Sequence, residues 1–417
     1  MAAPKTTTIG SYPVFPSAED LDYYQKMLAR GVTEELVDPF LWSIEETVRD
    51  FAASGVEVLS TGQTRGDLYA IFLDPRFVGG LTWRGAEAFV SDRISRVSSS
   101  RLADVIHARS IAPRYFSIKE PITDAYTLAR FLKISSSAPY TDTAELAREL
   151  NRKVIVPEIE ELQRQGLLDM IQLDSPYLSA ESSPPPYLQS LYEEVSSASR
   201  LPLVLHVCGD TSRVFRLLTK LNVATLELDF YHYPKLLEEV SKSGFDQTFG
   251  VGVLDAQSPR VESVEEITGV ISRADKALGT DRISFVHPHC GQRSLNRDTA
   301  FEKNVNMVIA RDDFYYGEAE DPHPYRLAPG EYDSKGYFLV TVRRETREIV
   351  VTFSTYEHSV VKRYKSRFAE RLLQSVDNEA DRLGMSRRHL AYLTLELGRA
   401  EASLEADGAV YRQKMTE

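Results

Sequence analysis

Six short apolar runs, each closing on a polar or reactive side chain, constrain this chain more than any other feature. VEVLST (56–61), DMIQLD (169–174), LPLVLHVC (201–208), VATLELDF (223–230), QTFGVGVLD (247–255) and RISFVHPHC (282–290) are too continuously apolar for strands with one wet face. They read as parallel strands buried on both sides. Helical patterns lie between them, at 143–166, 214–221 and 263–279. Strand and helix alternating at this spacing make an α/β protein with a parallel sheet. The chemistry-bearing residues Asp174, His206, Cys208, Glu227, Asp255 and Cys290 collect at the C-terminal ends of the runs. A (β/α)8 TIM-type barrel builds its active site there. A doubly wound sheet obeys the same rule, but no glycine-rich phosphate loop follows the first run.

The expected fold class is therefore α/β, a (β/α)8 barrel over residues 1–315. Composition shifts near Gly317, where GEAEDPHPYRLAPGEYD is rich in Pro, Gly and charge and reads as a linker over 316–332. Residues 333–417 are expected to form a small α+β domain. In it GYFLVTVRR and REIVVTFS make a hairpin, and 367–384 and 386–406 make two helices.

A chain of 417 residues that is 42% hydrophobic can bury a large core. Its net charge of −12 excludes a basic nucleic-acid footprint. There is no apolar stretch long enough to span a membrane, and the N-terminal MAAPKTTTIGSYP lacks the apolar centre of a signal peptide. A cytoplasmic location is the expectation. In that compartment the two cysteines are not expected to form a structural disulfide, so they are buried thiols or they do chemistry.

His206-Val207-Cys208 points to chemistry. On a strand, residues i and i+2 face the same side, so His206 and Cys208 can share one ion. Glu227 follows nineteen residues after Cys208, at the end of the next run, and Cys290 ends a further run in HPHCG. The resulting nitrogen, oxygen and two sulfurs suit tetrahedral zinc, and thiolates disfavour magnesium or calcium. Either cysteine alone would read as an ordinary buried thiol. What points to zinc is that both fall at strand ends, with His and Glu at matching places. His287 and His289 are rival ligands, expected around the metal rather than on it. Such a site activates a thiol by deprotonating it for attack on an electrophilic carbon. Glu227, the only oxygen donor, is expected to loosen when a substrate sulfur binds.

These residues resemble the catalytic half of the cobalamin-independent methionine synthase family. HVC, Glu227 and PHCG match its zinc ligands. IGSYP (9–13) is similar to its N-terminal Ile-Gly-Ser segment, IQLDSP (171–176) to its IQxDEP strand end, and VGVLDAQSPR (251–260) to its VGVxDxHSPR segment. The resemblance implies a barrel, zinc and homocysteine as methyl acceptor. It implies substrate contacts at Ile9, Gly10, Ser11, Gln63 and Asp174, with Asp174 on the substrate ammonium.

The departures bear on the methyl donor. The family's folate-interacting first barrel has no counterpart in the sequence. Gln63 stands where the long enzymes have Glu, and EPITDAYTLARFL (120–132) lacks the Trp associated with the folate site. Gln257, two residues beyond Asp255, replaces the family's proton-donating histidine. Methyltetrahydrofolate needs a proton on its leaving nitrogen, and Gln cannot supply one. A methylcorrinoid, delivered by a corrinoid protein, needs none and is the expected donor. The C-terminal unit resembles a small domain found beside some archaeal corrinoid methyltransferase subunits and thymidylate synthases, which implies either a docking module for the corrinoid protein or a stabilising cap or dimer contact. Competing readings are a methyltetrahydrofolate-dependent homocysteine methyltransferase, an epoxyalkane:coenzyme M-type zinc thiol alkyltransferase, and a non-catalytic zinc-stabilised scaffold.

Overall fold

The computed structural model describes residues 3–317, apart from 33–35, 67, 113–115, 182–184 and 243–244, together with the backbone of three strands between 336 and 365. Eight parallel strands form one sheet. They are β1 (Lys5–Thr6), β2 (Val58–Leu59), β3 (Ser117–Thr123), β4 (Met170–Asp174), β5 (Leu203–Val207), β6 (Thr225–Asp229), β7 (Thr248–Gly252) and β8 (Ile283–His287). Each pairs with its sequence neighbour from β2 through to β8, and β8 pairs with β1. A parallel bridge between Thr7 and Val58 brings the edge strands β1 and β2 together, giving the expected barrel.

Six of the eight strands coincide with the apolar runs. The other two carry no such run. Strand β1 is two residues long, and β3 reads SIKEPIT, a polar-looking segment whose Lys119 and Glu120 are nevertheless fully buried. Both charges are paired inside: Lys119 with Glu227, and Glu120 with Arg101. A buried ion pair removes the apolar signature by which a strand is recognised.

The helices follow local chemistry. Val264–Leu278 begins at a capping box in which Ser263 and Glu266 satisfy each other's backbone N–H groups. The expected helix over 143–166 is divided into Thr143–Leu150, a π-turn Asn151–Ile155 and Val156–Arg164. Pro157 has no N–H to continue the α-helical ladder, and the wider turn accommodates it. An antiparallel hairpin, Val78–Arg84 with Glu87–Arg96, is inserted between β2 and β3 and has no counterpart among the expected elements. No described helix is long and apolar enough to cross a membrane.

The chain divides into two compact units, the larger ending at Gly317. In the second, Gly336–Arg343 and Glu348–Thr355 pair as the expected hairpin, and Ser359–Lys365 adds a third antiparallel strand. The two helices expected at 367–384 and 386–406 lie outside the described residues.

Candidate metal and thiol site

Strand register assembles the site. Asp174 on β4, His206 on β5, Glu227 on β6 and Gly250 on β7 are successive register partners. Residues so aligned in a parallel sheet face the same side, so the row forms one layer of the barrel. Cys208, two residues beyond His206, faces the same way just past the end of β5.

Three of the four expected ligands converge. His206 Nε2 lies 2.8 Å from Cys208 Sγ, and Cys208 Sγ lies 2.9 Å from Cys290 Sγ, with no disulfide between them. The His206 Nδ1–H donates to the Glu227 backbone carbonyl at 3.3 Å, which leaves the Nε2 lone pair aimed at the sulfurs. Burial holds the imidazole well below its ordinary pKa, so it stays neutral, the form that binds metals. The thiols cannot both ionise unaided. The Cys290 sulfur and burial push the Cys208 thiol well up, while the hydrogen bond from Cys208 holds Cys290 down. A soft cation removes that conflict, and two sulfurs with one imidazole are the donors zinc prefers. His206, Cys208 and Cys290 therefore fit zinc.

Glu227 is placed differently from expectation. Its backbone supports His206, but its carboxylate is outside the convergent group of ligand atoms. Oε1 accepts from Lys119 Nζ at 2.7 Å with both side chains fully buried, and Oε2 is buried without a hydrogen-bond partner. Gly250 makes room beside it. A Cβ there would lie 2.6 Å from Glu227 Cγ and 2.8 Å from His287 Nε2.

The expected substrate residues surround the same layer. Asp174 accepts from Gln172 at 2.6 Å and from Gln63 at 3.2 Å, and burial pushes its carboxyl up to about 7. Gln172 also donates to the Ile9 carbonyl, at 2.9 Å. Gln63 has φ 43°, the one non-glycine in the left-handed region among the described residues. Strain of this kind persists only where surroundings enforce it. Arg293 does so by donating to the Gln63 carbonyl at 3.2 Å while lying 4.4 Å over the Phe15 ring. Gly10 has φ 121°, and a Cβ there would meet Gln63 and Pro121 at 3.0 Å. Ser11 lies against Gly291, where a Cβ would come within 2.1 Å of its Oγ, and its carbonyl accepts from Gln292 N at 2.7 Å. Ile9, Gly10 and Ser11 thus run between the Gln63 turn and the Cys290 loop.

On the remaining side, Asp255 accepts from the backbone N–H groups of Gln257 and Ser258 at 2.9 and 3.2 Å, and Gln257 is exposed. His287 and His289 are outside the ligand triad. His287 Nδ1 is 2.8 Å from the Pro288 carbonyl. His289 joins Asp229 and His232 in a second group of potential ligand atoms within 4.8 Å of one another. In that group His232 Nδ1 is 2.9 Å from Asp229, and its Nε2 is 3.5 Å from Asp255.

Sequence reasoning missed Lys119, Gln172, Gly250, Arg293 and His232. Gln172 was findable, since it sits two residues before Asp174 on one strand and so shares its face. Lys119 lies on a strand without an apolar run, and Gly250, His232 and Arg293, though close to the marked strand ends, are residue types that gave no sign of a role there.

Comparison with known proteins identifies the family of the barrel. Residues 4–312 match the family model described as the cobalamin-independent synthase catalytic domain. The chain belongs to this family. A methionine synthase from Methanothermobacter marburgensis is 31% identical over 323 residues, covering 74% of this chain and 99% of that protein. One from Methanocaldococcus jannaschii is 29% identical, covering 73% and 97%. Among solved structures, a B12-independent methionine synthase from Shewanella sp. W3-18-1 in complex with selenomethionine superposes with a TM-score of 0.61 at 18% identity, covering 75% of this chain and 97% of that one. That likeness establishes the barrel. Residues 332–414 match a separate model, PterinBD-DUF4346. Family membership makes the protein an enzyme of the homocysteine methyltransferase type, in which zinc dependence is typical.

Proposed function

We propose that this protein makes methionine by methylating homocysteine at a zinc site of His206, Cys208 and Cys290, with Glu227 as an exchangeable fourth ligand, and that a methylcorrinoid supplies the methyl group. The observation that carries the reading is the convergence of two thiols and a neutral imidazole in the same barrel layer as a buried carboxylate. Zinc, when bound, supplies the positive charge that keeps a substrate thiol deprotonated at neutral pH.

The chain's own residues do the rest. Asp174, fixed by Gln172 and Gln63, receives the homocysteine ammonium in a charge-assisted hydrogen bond. Ile9, Gly10 and Ser11 line the same space and bound the carboxylate end of the substrate. The Gln63 turn and the Cys290 loop hold that segment in place, so the substrate sulfur meets the donor in a fixed orientation. An amino-acid thiol suits this arrangement better than a sulfonate thiol, because Asp174 offers a negative charge and would repel a sulfonate.

The donor assignment rests on Gln257. When the sulfur takes the methyl carbon, the bonding pair leaves with the corrinoid and no proton is needed. We further propose that residues 333–417 dock the protein carrying that corrinoid. A second reading is favoured by the C-terminal match to PterinBD-DUF4346, a name that points to a pterin. A methyl group on a pterin nitrogen would need an acid, and His232 stands beside Asp255, two residues from Gln257. Anaerobic incubation of the zinc-loaded protein with homocysteine and either methylcobalamin or methyltetrahydrofolate separates the two. The expected result is methionine with stoichiometric cob(I)alamin absorbance from the first donor and none from the second. Turnover with methyltetrahydrofolate alone, lost in His232→Gln, would replace the corrinoid by the pterin.

A further inference from the structure

We infer that Lys119 is a positioning residue which takes over the Glu227 carboxylate when a substrate thiolate displaces it from the metal, and so sets how readily the site exchanges oxygen for sulfur. The inference rests on the zinc thiol site proposed above.

Lys119 on β3 and Glu227 on β6 reach each other across the barrel interior, since two strands stand between them in the sheet. Their separation is 2.7 Å and neither side chain is exposed. Glu227 accepts the hydrogen bond of this ammonium, with the Phe285 ring 5.8 Å from Nζ and the Asp174 carboxyl acting on it at longer range. A buried ammonium without a counter-charge is costly, so Lys119 needs a carboxylate. Glu227 is only half committed to it, because Oε2 is buried and unpartnered. The backbone of Glu227 is held by His206 Nδ1, whereas Gly250 leaves its side chain room to turn. In this inference the carboxylate changes partner by turning its side chain while its backbone stays held.

Charge favours the exchange. Two cysteine thiolates and Glu227 give a divalent cation a net charge of −1. A third thiolate would make it −2 in a low-dielectric barrel. Its thiol proton leaves to solvent. Moving Glu227 onto Lys119 restores −1 at the metal and leaves a neutral ion pair behind. Without Lys119 the displaced carboxylate would be a buried, unpaired charge.

The test is Lys119→Met in the full chain, with two readouts. Zinc affinity is measured by chelator competition, and homocysteine binding by the sulfur-to-metal absorption bands of the cobalt-substituted protein. The expected result is zinc held at least tenfold more tightly than in the wild type and homocysteine at least tenfold more weakly. Adding Glu227→Gln to Lys119→Met should restore homocysteine affinity, because a neutral amide needs no ammonium. Unchanged zinc and homocysteine affinities in Lys119→Met would overturn the role of Lys119. Should that variant not fold, Lys119→Gln/Glu227→Gln is compared with Glu227→Gln. The two should bind homocysteine equally, and a difference overturns the inference. A wild-type protein that gains no sulfur band with homocysteine contradicts the thiol-site reading itself.

Discussion

Cys208→Ser loses its zinc and its methionine synthesis while keeping its barrel. Cys208 stands between the other two ligands, 2.8 Å from His206 Nε2 and 2.9 Å from Cys290 Sγ, so its loss breaks the set at the centre. A serine hydroxyl is a far poorer ligand for zinc, because it stays protonated where a cysteine ionises. The catalytic cost has two parts. A free thiol is only a few per cent ionised at neutral pH, and an unbound one loses its fixed orientation, so the rate should fall by at least about 1,000-fold. The fold should survive. A domain of this size buries enough surface to stand without a metal, unlike a zinc finger. The check is metal content, turnover and circular dichroism on one preparation. A variant that unfolds with its zinc would support a structural site, and one that keeps zinc and turns over within tenfold of the wild type would remove Cys208 from the ligands.

Asp174→Asn separates binding chemistry from stability. Burial pushes the Asp174 carboxyl up to about 7, against the hydrogen bonds from Gln172 and Gln63. Below that pH it is neutral and cannot hold an ammonium. The kcat/KM for homocysteine should therefore rise about tenfold per pH unit up to about 7 and level off above it. Asp174→Asn should lose this limb and, at pH 8, lose roughly 100-fold in kcat/KM, as expected when a buried ammonium forfeits a charged partner worth about 3 kcal/mol. Stability moves the other way. A carboxyl whose folded pKa is raised costs the folded state nothing below its unfolded pKa, and the cost grows as pH rises through the window up to about 7. The neutral amide avoids that cost, once the Gln63 amide turns to present its oxygen. Asp174→Asn should thus be more stable than the wild type at pH 8 and less active. A pH profile unchanged by the substitution would remove Asp174 from the ammonium site.

The sequence made the chemistry more legible than the circuitry around it. The His206–Cys208 pair could be read because strand periodicity puts the two on one side, and Cys290 because it closes an apolar run just beyond a strand end. The barrel could be read from six apolar runs. Strand β3 could not, because its inward Lys119 looks like a surface residue until Glu227 is seen opposite, 108 positions away in sequence. For the same reason Glu227 was legible as a ligand type but not in its partner. Gly250 gave no sign either, since a glycine on a strand reads as a defect until the neighbouring Glu227 and His287 show what it leaves room for. The strained turn at Gln63 depends on Arg293, which lies 230 residues further along the chain.

The central claim is that the substrate sulfur joins the two cysteines at the metal. Zinc K-edge X-ray absorption on the loaded protein, with and without homocysteine, tests it directly. The account predicts two sulfur neighbours in the resting protein and three with homocysteine, with one oxygen neighbour lost. A sulfur count that does not change when homocysteine is saturating would contradict it.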